Sequence, residues 1–245
     1  LRQSSNFKIR CEVVMSYRVL IVPGFHGSGD AHWQTLLEKQ LPNAQRVARV
    51  DWEMPVVKAW AKAVTRALDE DPVPTVIVAH SFGCLASAVA IANRPNLDLA
   101  AVFVAPAQPD RFAPFGVRDN PALPSIAQYL PDGPLNVPGL LIGSQNDPWM
   151  KLQHAYAWAR RWNLVFHDAG LAGHINVESG YGPWPWIGGV VESMGASLAQ
   201  AQHHSRQGRE SVYPFPQSRQ QFSQPYQQLS QPHHQHAAQK ILFYA

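Results

Sequence analysis

Five or six short runs of this chain are rich in Val, Ile and Leu without the polar alternation of a half-buried strand, and that pattern restricts the fold more than any other feature. They are Arg18–Val22, Arg46–Val50, Thr75–Ala79, Ala101–Ala105, Gly139–Gly143 and Leu164–His167, each followed by loop residues such as Gly, Pro, Asp or Asn. Strands that read this way are buried on both faces, as in parallel sheets covered by helices. Helix-like stretches separate most of them: His32–Gln40, Val56–Glu70, Phe82–Asn93, Met150–Trp162 and a last one near Gly188–Ala199. The alternation predicts an α/β fold, a doubly wound, mostly parallel sheet of about six strands with helices on both faces. Ligands of such open sheets bind at the carboxyl ends of the strands. The residues just past each run are therefore the ones to inspect.

Two regions break the alternation. The proline-rich segment 106–138 has no helical periodicity and reads as a loop excursion, either a partial lid or plain surface loop. From Gln200 onward Gln, His, Ser and Pro dominate, and such a segment buries too little apolar area to order itself. Its His203, His204, His233, His234 and His236 are not read as a metal site, because a metal needs ligands fixed in space. Met15 immediately precedes the first strand, so residues 1–14 are read as an extension outside the fold. The expected division is an extension at 1–14, one catalytic domain at 15–199 and a disordered tail at 200–245.

The third run leads directly into Ala79-His80-Ser81-Phe82-Gly83 and then a helix rich in small residues. That is the strand, turn and helix context of a nucleophile elbow, where the positions two before and two after the serine must be small. Ala79 and Gly83 meet the demand. A serine at a strand-to-helix junction is otherwise an ordinary N-cap, so the pentapeptide alone is weak. Its partners strengthen it. Ser144-Gln145-Asn146-Asp147-Pro148 puts a carboxylate just past the fifth run, and Gly170-Leu171-Ala172-Gly173-His174 brings an imidazole to the same rim after the sixth. Ser, Asp, His is the chain order of the α/β-hydrolase triad. A serine hydroxyl becomes nucleophilic when a neutral imidazole takes its proton, and a carboxylate holds that imidazole in the right tautomer. Ser81, His174 and Asp147 are the expected nucleophile, base and orienting acid. Asp168 is the rival carboxylate; His80 and His167 are the rival imidazoles.

The turn after Ser81 aims the first helical N–H groups at the reaction centre, which makes Phe82 N–H an oxyanion donor. The second donor is expected from Val22-Pro23-Gly24-Phe25-His26-Gly27-Ser28-Gly29, with Phe25 N–H preferred and His26 next. A Gly-rich loop before a helix also fits phosphate binding, but this one lacks a P-loop lysine and the spacing of a dinucleotide fingerprint. His26, Trp52, Phe112, Phe115 and Trp149 are candidates to line the substrate pocket, against the competing role of large aromatics as core.

Charge and cysteine content narrow the partners. The formal net charge of +3 comes from Arg206, Arg209, Arg219 and Lys240 against Glu210, which leaves the preceding chain balanced and without an electrostatic footprint for nucleic acid. Only Cys11 and Cys84 occur, so no disulfide framework follows and a reducing, cytoplasmic setting is expected. No apolar run has the length of a membrane span. The expected partner is a small ester or amide, with no cofactor, metal, nucleic acid or membrane, and no protein partner is indicated.

Several of these motifs occur together in a known pattern. Pro23-Gly24-Phe25-His26-Gly27-Ser28-Gly29 with His32-Trp33, Asp51-Trp52, His80-Ser81-Phe82-Gly83, Asp147-Pro148, Gly173-His174-Ile175-Asn176 and Ser179–Pro185 resemble the bacterial YdeN-like relatives of retinoblastoma-binding protein 9, over residues 16–199. The resemblance implies a compact α/β hydrolase without a large cap domain, a triad at Ser81, Asp147 and His174, and activity on small carboxylic esters or amides. The protein-binding role in the family's name does not carry over, since the chain has no Leu-x-Cys-x-Glu motif. Fold alone does not fix function. A binding module on a hydrolase scaffold and an acyltransferase using the same triad remain the alternatives.

Overall fold

The computed structural model describes residues 17–210, so the expectations for residues 1–14 and for the chain beyond Glu210 lie outside the described residues. Six strands form one sheet: β1 (Arg18–Val22), β2 (Ala44–Arg46), β3 (Thr75–His80), β4 (Leu99–Val104), β7 (Gly139–Gly143) and β8 (Val165–Asp168). Their spatial order is β2-β1-β3-β4-β7-β8, and every neighbouring pair is parallel. Between β4 and β7, a two-residue pair, β5 (Phe112–Ala113) and β6 (Gly116–Val117), makes a separate antiparallel hairpin.

Among the described residues, five α-helices cover the sheet: α1 (Trp33–Gln40), α2 (Val57–Glu70), α3 (Phe82–Ala92), α4 (Leu152–Trp162) and α5 (Pro185–Glu210). Strand side chains alternate between two cores. Leu20, Val22, Ile77, Ala79 and Phe103 meet Trp60, Val64 and Leu68 of α2, Leu85 of α3 and Trp162 of α4. Val19, Ile21, Val76, Val78 and Val102 meet Trp33 and Leu37 of α1 and Ile187 and Val191 of α5. Burial on both faces explains why the central strands β1, β3 and β4 are almost wholly apolar, each fully buried Val, Leu or Ile contributing about 1.5–3 kcal/mol. The edge strands β2 and β8, also read as buried on both faces, are partly exposed because each has a neighbour on one side alone. Helix α2 has one apolar stripe, whereas nearly every residue of α3 is buried, because α3 packs against both the sheet and α2.

The strand order puts the topological switch point beside β1, with β2 on one side and β3 on the other. The loops leaving β1 and β3 diverge there and open a crevice at their carboxyl ends. Buried Gln34 ties the two strand ends together: its Nε2 donates to the carbonyls of Val22 at 3.2 Å and Val78 at 3.0 Å, while Ser28 Oγ donates to its Oε1 at 2.7 Å.

Three elements differ from the sequence reading. β2 is Ala44–Arg46 rather than Arg46–Val50, because Arg49 adopts φ 60° and turns the chain away from the sheet. The excursion 106–138, read as a partial lid or plain surface loop, is pinned to the body of the fold. Ile126, Leu130 and Leu135 are buried, Trp162 Nε1 donates to Pro131 O at 3.1 Å, and Leu135 N donates to Trp162 O at 3.1 Å. Helix α5 starts at Pro185, a residue suited to the first helical turn, and runs to Glu210. The residues from Gln200 to Glu210, read as the start of a tail, continue this helix. Leu198 and Ala199 pack on the core just before them, and Gln202 Nε2 donates to Asp98 at 3.4 Å.

A Cβ added at Gly83 would fall on the carbonyl oxygens of Val22 and Pro23, so glycine is what lets α3 approach β1. Gly83→Ala is expected to cost roughly 1–3 kcal/mol by overpacking. Urea unfolding of parent and variant measures it, and equal midpoints would contradict this packing.

Candidate active site

Ser81 sits where β3 becomes α3, with φ 53° and ψ −122°. A non-glycine residue rarely adopts this conformation, which costs about 1–3 kcal/mol and persists only where the surroundings over-determine it. Here Ser81 N donates to Val104 O at 3.0 Å and Ser81 O accepts from Cys84 N at 3.1 Å. The loop after β1 approaches closely from the other side. A Cβ on Gly24 would lie 2.7 Å from Ser81 Cβ. As the first helical residue, Phe82 has a backbone N–H without an intrahelical acceptor, at the positive end of the α3 dipole. Of the two loop candidates, His26 N–H is already donated to Trp52 O at 2.9 Å, whereas Phe25 N–H has no acceptor among the described residues.

His174 Nε2 lies 2.9 Å from Ser81 Oγ, and its Nδ1 lies 3.0 Å from both carboxylate oxygens of Asp147. Three side chains from distant parts of the sequence thus form one hydrogen-bonded line. The Asp147 carboxylate is only 2% exposed and also accepts from Trp149 N at 2.8 Å. Such a line lets the imidazole accept the hydroxyl proton while the carboxylate compensates the charge that develops.

The loop carrying His174 is held from several directions. Ser179 Oγ accepts from His174 N at 3.0 Å and donates to Asn176 Oδ1 at 2.8 Å. Asn146 Oδ1 accepts from Gly173 N at 2.7 Å, and Ser144 Oγ accepts from Ala172 N at 3.0 Å. Trp33 Nε1 donates to Ile175 O at 2.9 Å. Sequence reasoning overlooked Ser144, Asn146, Asn176 and Ser179. Ser144 and Asn146 lie in the loop assigned to Asp147, and Asn176 and Ser179 follow His174 in the motifs that carry the resemblance, which gave none of the four a role.

The rival residues have other occupations. Asp168 accepts from Gln145 Nε2 at 2.9 Å and from Gly170 N at 2.8 Å, and these bonds, led by that of Gln145, lower its pKa. His167 stacks on Trp186, with ring centroids 5.0 Å apart. His80 is buried beneath the site, where its Nε2 donates to His174 O at 2.9 Å. His32, the N-cap of α1, is buried beside it with ring centroids 4.9 Å apart. Burial, the Arg46 charge and His174 pull the His32 pKa down to about 4. Burial, then His174 and His32, hold His80 well below the ordinary histidine value. Both stay neutral near pH 7.

A cleft of about 260 Å³ opens over Ser81, lined by Phe25, His26, Gly27, His32, His80, Phe112, Trp149, His174, Asn176 and Glu178. Of the expected pocket residues, the structure brings His26, Phe112 and Trp149 to it. Trp52 does not line the cleft: it packs behind the β1 loop against Trp60, with ring centroids 4.9 Å apart. Phe115 does not line it either. It occupies the turn between β5 and β6 and faces outward. His32, Asn176 and Glu178 were not foreseen as lining residues. A larger cavity of about 520 Å³ lies at the opposite end of the sheet, near Arg18, Asn43 and Asp71, remote from this crevice. Among the described residues, no group of His, Cys, Asp and Glu could hold a metal, and no helix is long and apolar enough to cross a membrane.

The family model described as serine hydrolase matches residues 19–193. Among solved structures, the chain is similar to a YdeN-like hydrolase from Pectobacterium atrosepticum, with 32% identity and a TM-score of 0.66 over 75% of this chain and 92% of that one. It also resembles the ydeN gene product from B. subtilis, with 18% identity and a TM-score of 0.57 over 73% and 98% of the two chains. Est1E from Butyrivibrio proteoclasticus, in a structure with ferulic acid bound, shares the fold at 12% identity and a TM-score of 0.54, over 74% and 89%. A comparison with curated proteins finds no match.

The buried histidines beneath the cleft generate a pH dependence. Between the ordinary value of 6.5 and about 4, the unfolded chain protonates at His32 while the native state does not. Stability is therefore fully present above that window and falls as pH drops through it. The His32 contribution amounts to about 3 kcal/mol. His32→Asn, which keeps an N-cap acceptor, is expected to lose about that much less stability than the parent between pH 7.5 and pH 4. Urea unfolding at the two pH values checks it, and parallel losses in both proteins would contradict it.

Proposed function

The chain belongs to the serine hydrolase family, and from that premise we propose that it cleaves small carboxylic esters, or amides, through an acyl-serine intermediate. The observation that carries this reading is the unbroken line from Ser81 Oγ through the His174 imidazole to Asp147, ending at a cleft. Ser81 Oγ attacks the substrate carbonyl carbon as His174 Nε2 takes its proton. The tetrahedral oxyanion is held by the backbone N–H groups of Phe82 and Phe25, each worth about 3 kcal/mol to the transition state. Collapse expels the alcohol or amine, which receives the proton from His174 and leaves Ser81 acylated. Water, deprotonated by His174, then attacks the acyl carbon; the second collapse releases the acid and restores the Ser81 hydroxyl. The Asp147 carboxylate stabilises the imidazolium in both halves.

The cleft volume supports a small substrate, because pockets for larger organic ligands run from about 300 to 1,000 Å³. A binding module that merely inherited this scaffold would gain nothing from keeping Ser81 in a strained conformation with its hydroxyl hydrogen-bonded to His174. The intact geometry favours turnover.

Ser81→Ala is expected to lower turnover of p-nitrophenyl acetate on the order of a millionfold while leaving the fold intact. Steady-state hydrolysis by the purified proteins measures this. A variant as fast as the parent would reject Ser81 as the nucleophile.

A further inference from the structure

The β5–β6 hairpin stands beside the cleft and has no part in the chemistry described above. Phe112 on β5 is buried, packs on Phe82 with ring centroids 4.6 Å apart, and forms part of the cleft wall. Val117 on β6 pairs directly with Phe112. Directly opposed residues of an antiparallel pair share a face, so Val117 extends the Phe112 wall outward. It is 52% exposed. Phe115, at the turn between the two strands, is 86% exposed. On the other side of the hairpin, a Cβ at Gly116 would lie 3.6 Å from Met54 Sδ, and Met54 is itself 50% exposed. Large apolar side chains left in water this close to a binding cleft mark an interaction surface.

We propose that this hairpin is an acyl-chain subsite, which makes esters of linear, medium-chain carboxylic acids the substrate class of the cleft. The inference rests on the hydrolase reading above. His174 must deliver its proton to the leaving group, which assigns that group to the polar part of the lining with His174, Asn176 and Glu178. The acyl chain then takes the apolar part, at Phe25 and Phe112. A cleft of about 260 Å³ holds only the first part of a long chain. Val117, paired with Phe112, and Phe115 at the adjoining turn give the remaining methylenes exposed apolar side chains to lie on. Adding each methylene to an open strip of this kind raises kcat/KM about twofold, roughly half the effect of full burial.

The test compares kcat/KM for p-nitrophenyl decanoate and p-nitrophenyl acetate, both below micellar concentration, in the parent and in a Phe115→Ser/Val117→Ser double variant. Circular dichroism and fluorophosphonate labelling check that the fold and site are kept. The expected result is a decanoate-to-acetate ratio well above one in the parent, reduced about tenfold in the variant. A ratio unchanged by the substitutions, or a parent that favours acetate, overturns the subsite and leaves the hydrolase reading standing. A parent that neither labels nor turns over any ester sinks both. If sedimentation shows the substitutions splitting a dimer while the ratio holds, the strip is an interface between two copies and the subsite is overturned. Should the double variant fail to fold, Phe115→Ser alone reads the same ratio.

Discussion

The close approach of α3 to the ends of β1 and β3 is the constraint on which the rest of the structure depends. Gly83 lets the helix touch the carbonyls of Val22 and Pro23, and Gly24 lets the β1 loop reach Ser81. Ser81 is thereby held at a positive φ at the topological switch point of the sheet. The strain costs about 1–3 kcal/mol. Two fully buried cores on either side of the same strands offset it. Stability from the sheet thus holds a side-chain direction that the local backbone would not choose.

The second device is a rigid loop rather than a rigid element. His174 lies on irregular backbone, yet Ser179, Asn146, Ser144, Trp33 and His80 each bond to the main chain from Ala172 to Ile175. At about 1 kcal/mol net for each such bond, the imidazole is oriented before any substrate arrives. Preorganisation of this kind is what makes electrostatic stabilisation effective at the moment of reaction. It also has a cost, since His32 and His80 are buried neutral beneath the site and become liabilities in acid.

Much of this was legible in the residues alone. Largely apolar runs such as Arg18–Val22 and Gly139–Gly143 coincide with strands because burial on both faces of the sheet interior leaves little room for alternation. Ser81, Asp147 and His174 could be singled out because each follows a strand, and strand ends in such sheets converge on one rim. What could not be read depended on contacts between distant segments. The left-handed Arg49 that shortens β2 carries no glycine to announce it. Trp52 and Phe115 had the right chemistry for a pocket, but only the tertiary packing of Trp52 on Trp60 and the outward turn of the hairpin decide where they point. The use of His80 as a donor to His174 O joins residues ninety-four positions apart and has no local signature.

The central claim is that the elbow makes one serine hydroxyl uniquely nucleophilic. Peptide mapping by tandem mass spectrometry, after brief reaction of the parent with a fluorophosphonate at neutral pH, tests it most directly. A single adduct on Ser81 is the predicted result; an adduct on another serine such as Ser28 or Ser144, or no adduct at all, would contradict the account.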